Sequence, residues 1–374
     1  MRRAGALALL VLPAAAAACG AASPAPTPKP HRIQTTAAST SCATAARAEI
    51  VAVANRIYQQ AVSGRNEVSA VARLRRSTAL ANAVSSGNAG AIRAALGPVM
   101  HHRIVRIDIS KGGRTIVRVG SSPAYAPIHG RIGSGSYVMS VGDQASYEAI
   151  TRGLTGATVR FGGSGGVSFP ATTFPGHQTR VHIMLPAQPA VTCGMSAADT
   201  RASTIGLIAR NLVDAESTGG SAQLTLRHAA KNAAFRRAIA SGSPAAVRAA
   251  IIGFFKDSRF HIVRVRAWKG SQLITDVGGP YVISPASATI PGVGRFMLSI
   301  QDDTGYIKLM HRFTGADVVL HQRGVTVPGS NLSPGPPYAP GLTSVTYRGH
   351  TYRMYGFEAP AFPSGNLQVS VLVP

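Results

Sequence analysis

The feature that most constrains this chain is that it repeats itself. Ile104-Val-Arg-Ile107 recurs as Ile262-Val-Arg-Val265, 158 residues further on. The same offset carries Lys111-Gly112 onto Lys269-Gly270 and Val119-Gly120 onto Val277-Gly278. An offset of 159 pairs Tyr137–Asp143 with Phe296–Asp302, Tyr147 with Tyr306, and Leu154-Thr-Gly-Ala157 with Phe313-Thr-Gly-Ala316. Upstream, Ser86–Arg93 matches Ser241–Arg248 at 155. Ordered matches with small drift mean that one supersecondary unit is built twice. The ends of the copies, Phe174-Pro175 with Phe362-Pro363 and Leu185-Pro186 with Val373-Pro374, lie 188 apart. Copy two therefore carries 29 residues more, within about 323–354: a loop, Pro328 to Pro340, and a hairpin, Ser344–Tyr347 turning at Arg348-Gly349-His350. In copy one Gly162-Gly-Ser-Gly-Gly166 takes their place.

Within a copy the hydrophobic period switches once. Ala48–Tyr58 and Ile205–Leu212 place apolar residues three and four apart, as amphipathic helices do. A second helix is expected over about 69–84 or 224–240, and a third from Asn88 or Pro244, proline being suited to a first helical position. Alternation follows at 104–109, 115–119 and 137–141, and again at 260–267, 273–277 and 295–300. The short connections imply antiparallel pairing. Short helices over 143–152 and 302–312 precede a final strand, 181–185 or 367–373, expected to close each sheet. The fold class is α+β, two tandem modules each with N-terminal helices followed by an antiparallel sheet.

The N-terminus reads as a targeting segment. Arg2 and Arg3 precede a short apolar run, too short to span a bilayer comfortably, that ends in small residues at Cys19. Ala16-Ala17-Ala18-Cys19 resembles the lipobox of bacterial lipoproteins, with Ala16 where leucine is usual. The other reading is an ordinary signal peptide cut after an A-x-A site. The expected organisation is a signal peptide at 1–18, a lipid-anchored Pro/Ala-rich linker at 19–41, a trimmed first module at 42–190 and a second at 191–374. The protein is then extracytoplasmic, anchored to the outer face of the cell membrane by acyl chains on Cys19. Export makes a disulfide between the other two cysteines, Cys42 and Cys193, the expected pairing, with two free thiols as the alternative.

Formal net charge is +24. In an exported chain without an aromatic-basic stripe this points away from nucleic acid and towards anionic lipid headgroups or an envelope polymer, unless it is only a solvated surface. Little in the chain points to catalysis. Gly162-Gly-Ser164-Gly-Gly166 fits G-x-S-x-G, but that chemistry needs a strand-to-helix elbow, and no helical pattern follows. His101-His102 is an adjacent pair, which in a strand points to opposite faces, and no histidine has zinc-ligand spacing. Asp302-Asp303 is read as a helix cap rather than an acid/base pair. No enzyme activity, metal or cofactor is expected.

Val263-Arg-Val-Arg-Ala-Trp-Lys-Gly270, Thr275-Asp-Val-Gly-Gly-Pro-Tyr281 and Phe296–Tyr306 resemble a Cache domain, the PAS-like extracytoplasmic sensor module of bacterial receptors. The resemblance covers most of 200–374 and, through the repeat, about 43–186. It departs from the usual receptor in that no transmembrane helix and signalling domain follow. It implies a small-molecule ligand of unknown class, held in copy two between sheet and loops. Asp276, which aligns with Arg118 in copy one, and Tyr281 would be polar contacts, with Arg264 or Arg266 opposite and Tyr306 and Tyr355 as aromatic walls. The alternative is a non-catalytic interaction module that binds an anionic envelope polymer or a partner receptor.

Overall fold

A computed structural model describes residues 40–100, 104–186, 196–257, 260–279, 282–329, 332–362 and 365–374. The first half opens with four helices, α1 (Thr40–Ser63), α2 (Arg65–Arg76), α3 (Thr78–Ser86) and α4 (Ala89–Met100). Six strands follow, β1 (Arg106–Lys111), β2 (Arg114–Val119), β3 (Ala124–Tyr125), β4 (Ile128–Ile132), β5 (Gly135–Ser140) and β6 (Gly142–Asp143). Then come α5 (Gln144–Thr155), β7 (Thr158–Phe161), β8 (Val167–Thr173) and β9 (His177–Met184). The second half repeats the series with α6 (Ala197–Thr218), α7 (Gly220–Lys231), α8 (Ala233–Ser241), α9 (Pro244–Lys256), β10 (Arg264–Lys269), β11 (Gln272–Gly278), β12 (Val282–Ile283), β13 (Ala286–Ile290) and β14 (Gly294–Ser299). It ends with α10 (Asp303–Thr314), β15 (Asp317–Gln322), β16 (Val325–Thr326), β17 (Gly341–Tyr347), β18 (His350–Phe362) and β19 (Asn366–Val373). The architecture is α+β, helices followed by several antiparallel sheets.

The single second helix expected in each copy is two. Ser77 accepts a hydrogen bond from the Leu80 amide (3.3 Å) and starts α3. Asn232 does the same for Phe235 (2.9 Å) and starts α8. A side chain that caps a new helix also ends the old one, so a residue read as mid-helix becomes a break. Asp302 caps α10, as expected, Asp143 caps α5 in the same way, and Gly156 and Gly315 end those helices in the left-handed region.

Each half also folds its strands into two sheets, where one was expected. The first half has orders β2-β1-β5-β4 and β6-β3-β8-β9-β7. The second has β11-β10-β14-β13 and β12-β18-β19-β15-β16, with β17 added to β18. The chain crosses between sheets at Ala126 (φ 51°) or Ser284 (φ 50°). It returns through a buried serine whose hydroxyl ties both crossings. Ser299 Oγ lies 2.9 Å from the carbonyls of Ile283 and Gln301, and Ser140 Oγ contacts those of Tyr125 and Gly142. Alternation marks a strand but not the sheet it joins, which is why the final strands, β9 and β19, fall in the second sheet.

The described residues form one compact unit. Each half has an outer lobe, in which three helices pack on the first sheet: α2–α4 around Leu74, Ile92 and Ile107, and α7–α9 around Phe235, Ile251 and Val265. The centre is shared. Helices α1, α5, α6 and α10 and the second sheets bury one apolar core that includes Ile50, Tyr147, Ile205, Tyr306 and Val369. Within it α1 packs on α6 and α10, and α6 on α1 and α5. The two halves mirror each other in detail: Tyr147 donates to the Ala54 carbonyl (3.1 Å) and Tyr306 to that of Ala209 (3.0 Å).

The extra residues of the second half do one structural job. Leu332, Ala339, Val345 and Tyr352 cover a small core of Val319, Met354 and Leu372 on the outer face of the β15-β19-β18 sheet. The expected hairpin is β17–β18, turning at Arg348 (φ 51°) and Gly349 (φ 79°), the left-handed pair that a two-residue turn requires.

Candidate functional site

The sequence-predicted site residues divide between two places. Arg264 and Arg266 alternate along β10, so both project on the face of the sheet away from α7–α9, and Asp276 faces Arg266 across β11. Asp276 holds both arginines: Arg264 Nε at 2.7 Å and Nη2 at 2.8 Å, and Arg266 Nε at 3.0 Å. Arg264 also donates to the Gly279 carbonyl (2.7 Å) and lies over the Phe362 ring (5.3 Å), which docks the first sheet on the second. The first half docks the same way, with Arg106 over Phe174 at 4.5 Å. Next along the face, Trp268 carries Arg266 at 5.6 Å and Arg295 at 4.8 Å.

Tyr306 and Tyr355 do not join this cluster. Tyr306 is fully buried in the central core, and burial raises its pKa. Tyr355, on β18, lies against Gly206 of α6, where a Cβ would run into its ring. Tyr281 lies outside the described residues, as do Cys19, Cys193 and His101-His102. Cys42 is disulfide-bonded and accepts a hydrogen bond from Thr200 Oγ1 (3.4 Å) at the start of α6. Ser164 sits in a turn between β7 and β8, with no helix after it and glycines at positive φ on both sides. Among the described residues no group of three His, Cys, Asp or Glu could hold a metal ion, and no helix is long and apolar enough to cross a membrane.

A concave feature that gathers polar groups lies elsewhere in the second half. An open groove of about 670 Å³ runs between α8 and α9. Ala234, Ala238, Ala246, Ala249 and Ala250 form its floor and walls, small side chains that leave room between the helices. At one end His228, from α7, stacks on Phe260 (centroids 4.0 Å apart, rings inclined at 21°). Its Nε2 is 3.5 Å from Asp257, which caps the end of α9. Arg237, exposed on α8, stands on the rim with Asn232 and Ser241. Gly253, exposed on α9, has no atom within 4 Å of where a Cβ would sit.

The first copy is also polar at these positions but with other residues. At the repeat offset of 155, Arg73 stands for His228, Asn82 for Arg237 and Pro98 for Gly253. That contrast is the signal the sequence offered for the groove. It is faint, because His228, Arg237 and Asp257 come from three helix segments with no common motif. Comparison with known proteins finds no family model, no curated protein and no solved structure that matches the chain.

Proposed function

We propose that this protein is an extracytoplasmic, lipid-anchored ligand-binding protein of two tandem PAS/Cache-like modules, non-catalytic, with its ligand site in the second module. The observation that carries this reading is the groove of about 670 Å³ between α8 and α9. Its volume lies in the range of small-molecule sites, roughly 300–1,000 Å³. A few polar groups, His228 with Asp257 and the rim residue Arg237, converge on an apolar floor. A cationic rim next to a histidine suits a small anionic or zwitterionic molecule, with Arg237 taking its carboxylate or phosphate. The export signal, the lipobox-like Cys19 and the Pro-rich linker support placement outside the cell membrane. The Asp276 cluster is not part of this site: its carboxylate is engaged by two arginines of its own sheet, on the face away from α7–α9.

The test is a thermal-shift screen of the full chain against amino acids, organic acids, polyamines and sugars, followed by Arg237→Ala and His228→Ala. A ligand present at about a hundred times its Kd stabilises by about 2.7 kcal/mol, a shift of several degrees for a chain of this size. The expected result is a hit whose shift disappears in Arg237→Ala while the unliganded midpoint stays within about 2 °C. A hit that both variants retain would move the site out of this groove, and a blank screen would count against a small-molecule ligand of these classes.

A further inference from the structure

The two halves share the strand scaffold β7-β9-β8 and β15-β19-β18, and they differ in what lies on its outer face. In the second half that face is roofed by the inserted residues. In the first half no insertion exists, and the same positions carry different chemistry. Arg160 stands where the second half has Val319, His182 where it has Ser370, Arg180 where it has Gln368, and Met184 where it has Leu372. The register confirms the equivalence, since Arg160 faces His182 as Val319 faces Ser370. Val159, Val181 and Ile183 alternate inward to the central core, so Arg160, Arg180 and His182 all project outward.

Two arginines and a histidine therefore share one face of the sheet, and Arg160 and Arg180 are exposed. Arg180 donates to Ser168 Oγ (2.8 Å) and to the Ser168 carbonyl (3.1 Å), which orients the guanidinium without neutralising it. His182 Nδ1 is 2.8 Å from the Gly165 carbonyl, leaving Nε2 for another partner. No Asp or Glu occurs between Glu148 and Asp199, so the strands β7, β8 and β9 bring no carboxylate of their own. Arg160 and Arg180 bring two like charges to one face, and an external anion between them offsets their repulsion. Arg180 and His182 follow one another along β9 with Arg160 beside them on β7, a row that suits an extended partner better than a point ligand. Guanidinium groups match tetrahedral oxyanions bidentately.

We propose that the outer face of β7-β9-β8 is a docking surface for a linear phosphate-bearing polyanion. The probe is fluorescently labelled inorganic polyphosphate, its affinity for the full chain measured by anisotropy at several salt concentrations. The variant is Arg160→Gln/Arg180→Gln. The control is Arg114→Gln/Arg131→Gln, which removes the same charge from exposed positions on the other sheet of the same half. The expected result is at least a tenfold loss of affinity in the first variant and less than twofold in the control. Binding should weaken steeply with salt, and the midpoint of unfolding should not change. An Arg160→Lys/Arg180→Lys variant should retain most of the binding, which separates lost charge from a disturbed sheet. Equal losses in the two Gln variants would show that net charge alone acts and would overturn the proposal. So would an absence of binding at low salt. Vesicles containing phosphatidylglycerol form the second arm: if the Arg160/Arg180 variant loses vesicle binding and keeps polyphosphate, the surface faces lipid and the proposal is wrong.

Discussion

Asp108 and Arg118 face each other across β1 and β2 at 3.4 Å, and the equivalent positions in the second half hold Arg266 and Asp276 with the charges exchanged. With Arg106 and Arg264 beside them, each half places two arginines and one aspartate on the same face. The arginine that copy one has at position 118, where copy two has Asp276, does not mean that the fold can do without the acid. The pair shows that the fold keeps the ion cluster and is indifferent to which strand supplies the acid. Asp276→Ala leaves two partly buried guanidinium groups facing each other, and a loss of about 1–3 kcal/mol is expected in a denaturant titration. The double exchange Arg266→Asp/Asp276→Arg copies the first half and should recover most of that loss. Failure to recover would mean that the two clusters are not equivalent. Glu216 is a second residue-scale case. It stands where the first half has Ala61, and burial raises its carboxyl pKa to about 7. A raised folded-state pKa means that the unfolded chain ionises first. Stability is thus intact below about pH 4.5 and falls as pH rises towards 7, by on the order of 2 kcal/mol. Glu216→Gln should flatten that slope in melts run from pH 4 to 8, and an unchanged slope would assign it to other groups.

At the scale of elements, the roof over β15-β19-β18 explains a set of substitutions that composition alone leaves arbitrary. Where the roof lies, Val319, Met354 and Leu372 are buried, and where it is missing Arg160 takes the place of Val319, while Met184 stays apolar in place of Leu372. The roof is fitted closely: a Cβ on Gly335 would press on Val319, and one on Gly356 would run into the Ala339 carbonyl. Gly356→Ala is therefore expected to cost about 1–3 kcal/mol and to make the 332–340 stretch more readily cut in limited proteolysis. If cleavage elsewhere rises equally, the strain is spread through the sheet and the roof is not a separate unit.

At the scale of the whole molecule, the two repeats do not sit side by side as independent bodies, because the helices that open each copy bury their apolar stripes against each other. Glu49 of α1, 7% exposed, accepts from Arg201 of α6 at 3.0 Å, and Asn211 of α6 donates to the Leu154 carbonyl at 2.9 Å. Either half alone would expose the core faces of α1 and α5, or of α6 and α10, which is more apolar surface than a stable monomer leaves in water. Residues 40–186 and 196–374 produced separately should each be poorly folded, and they should recover native circular dichroism and a single elution peak when mixed. Two cooperative, monomeric melts would instead mean that each lobe carries its own stability.

What the sequence determined by itself is whatever local chemistry repeats: the duplication, the switch from helix to strand, the Asp143 and Asp302 caps, and the β17–β18 turn at Arg348-Gly349. Each depends on residues a few positions apart, so each could be read in order along the chain. Which sheet a strand joins, the sharing of one core by both copies, and the engagement of Asp276 by Arg264 and Arg266 were decided by tertiary structure. So was the gathering of His228, Arg237 and Asp257 around one groove. Those outcomes depend on which faces meet once the helices have formed, and an amphipathic stripe says that a face must be buried without saying against what. The sequence reading set Arg264 or Arg266 beside the ligand, and only the packed sheet showed that both lie on one face, which turns away from the groove.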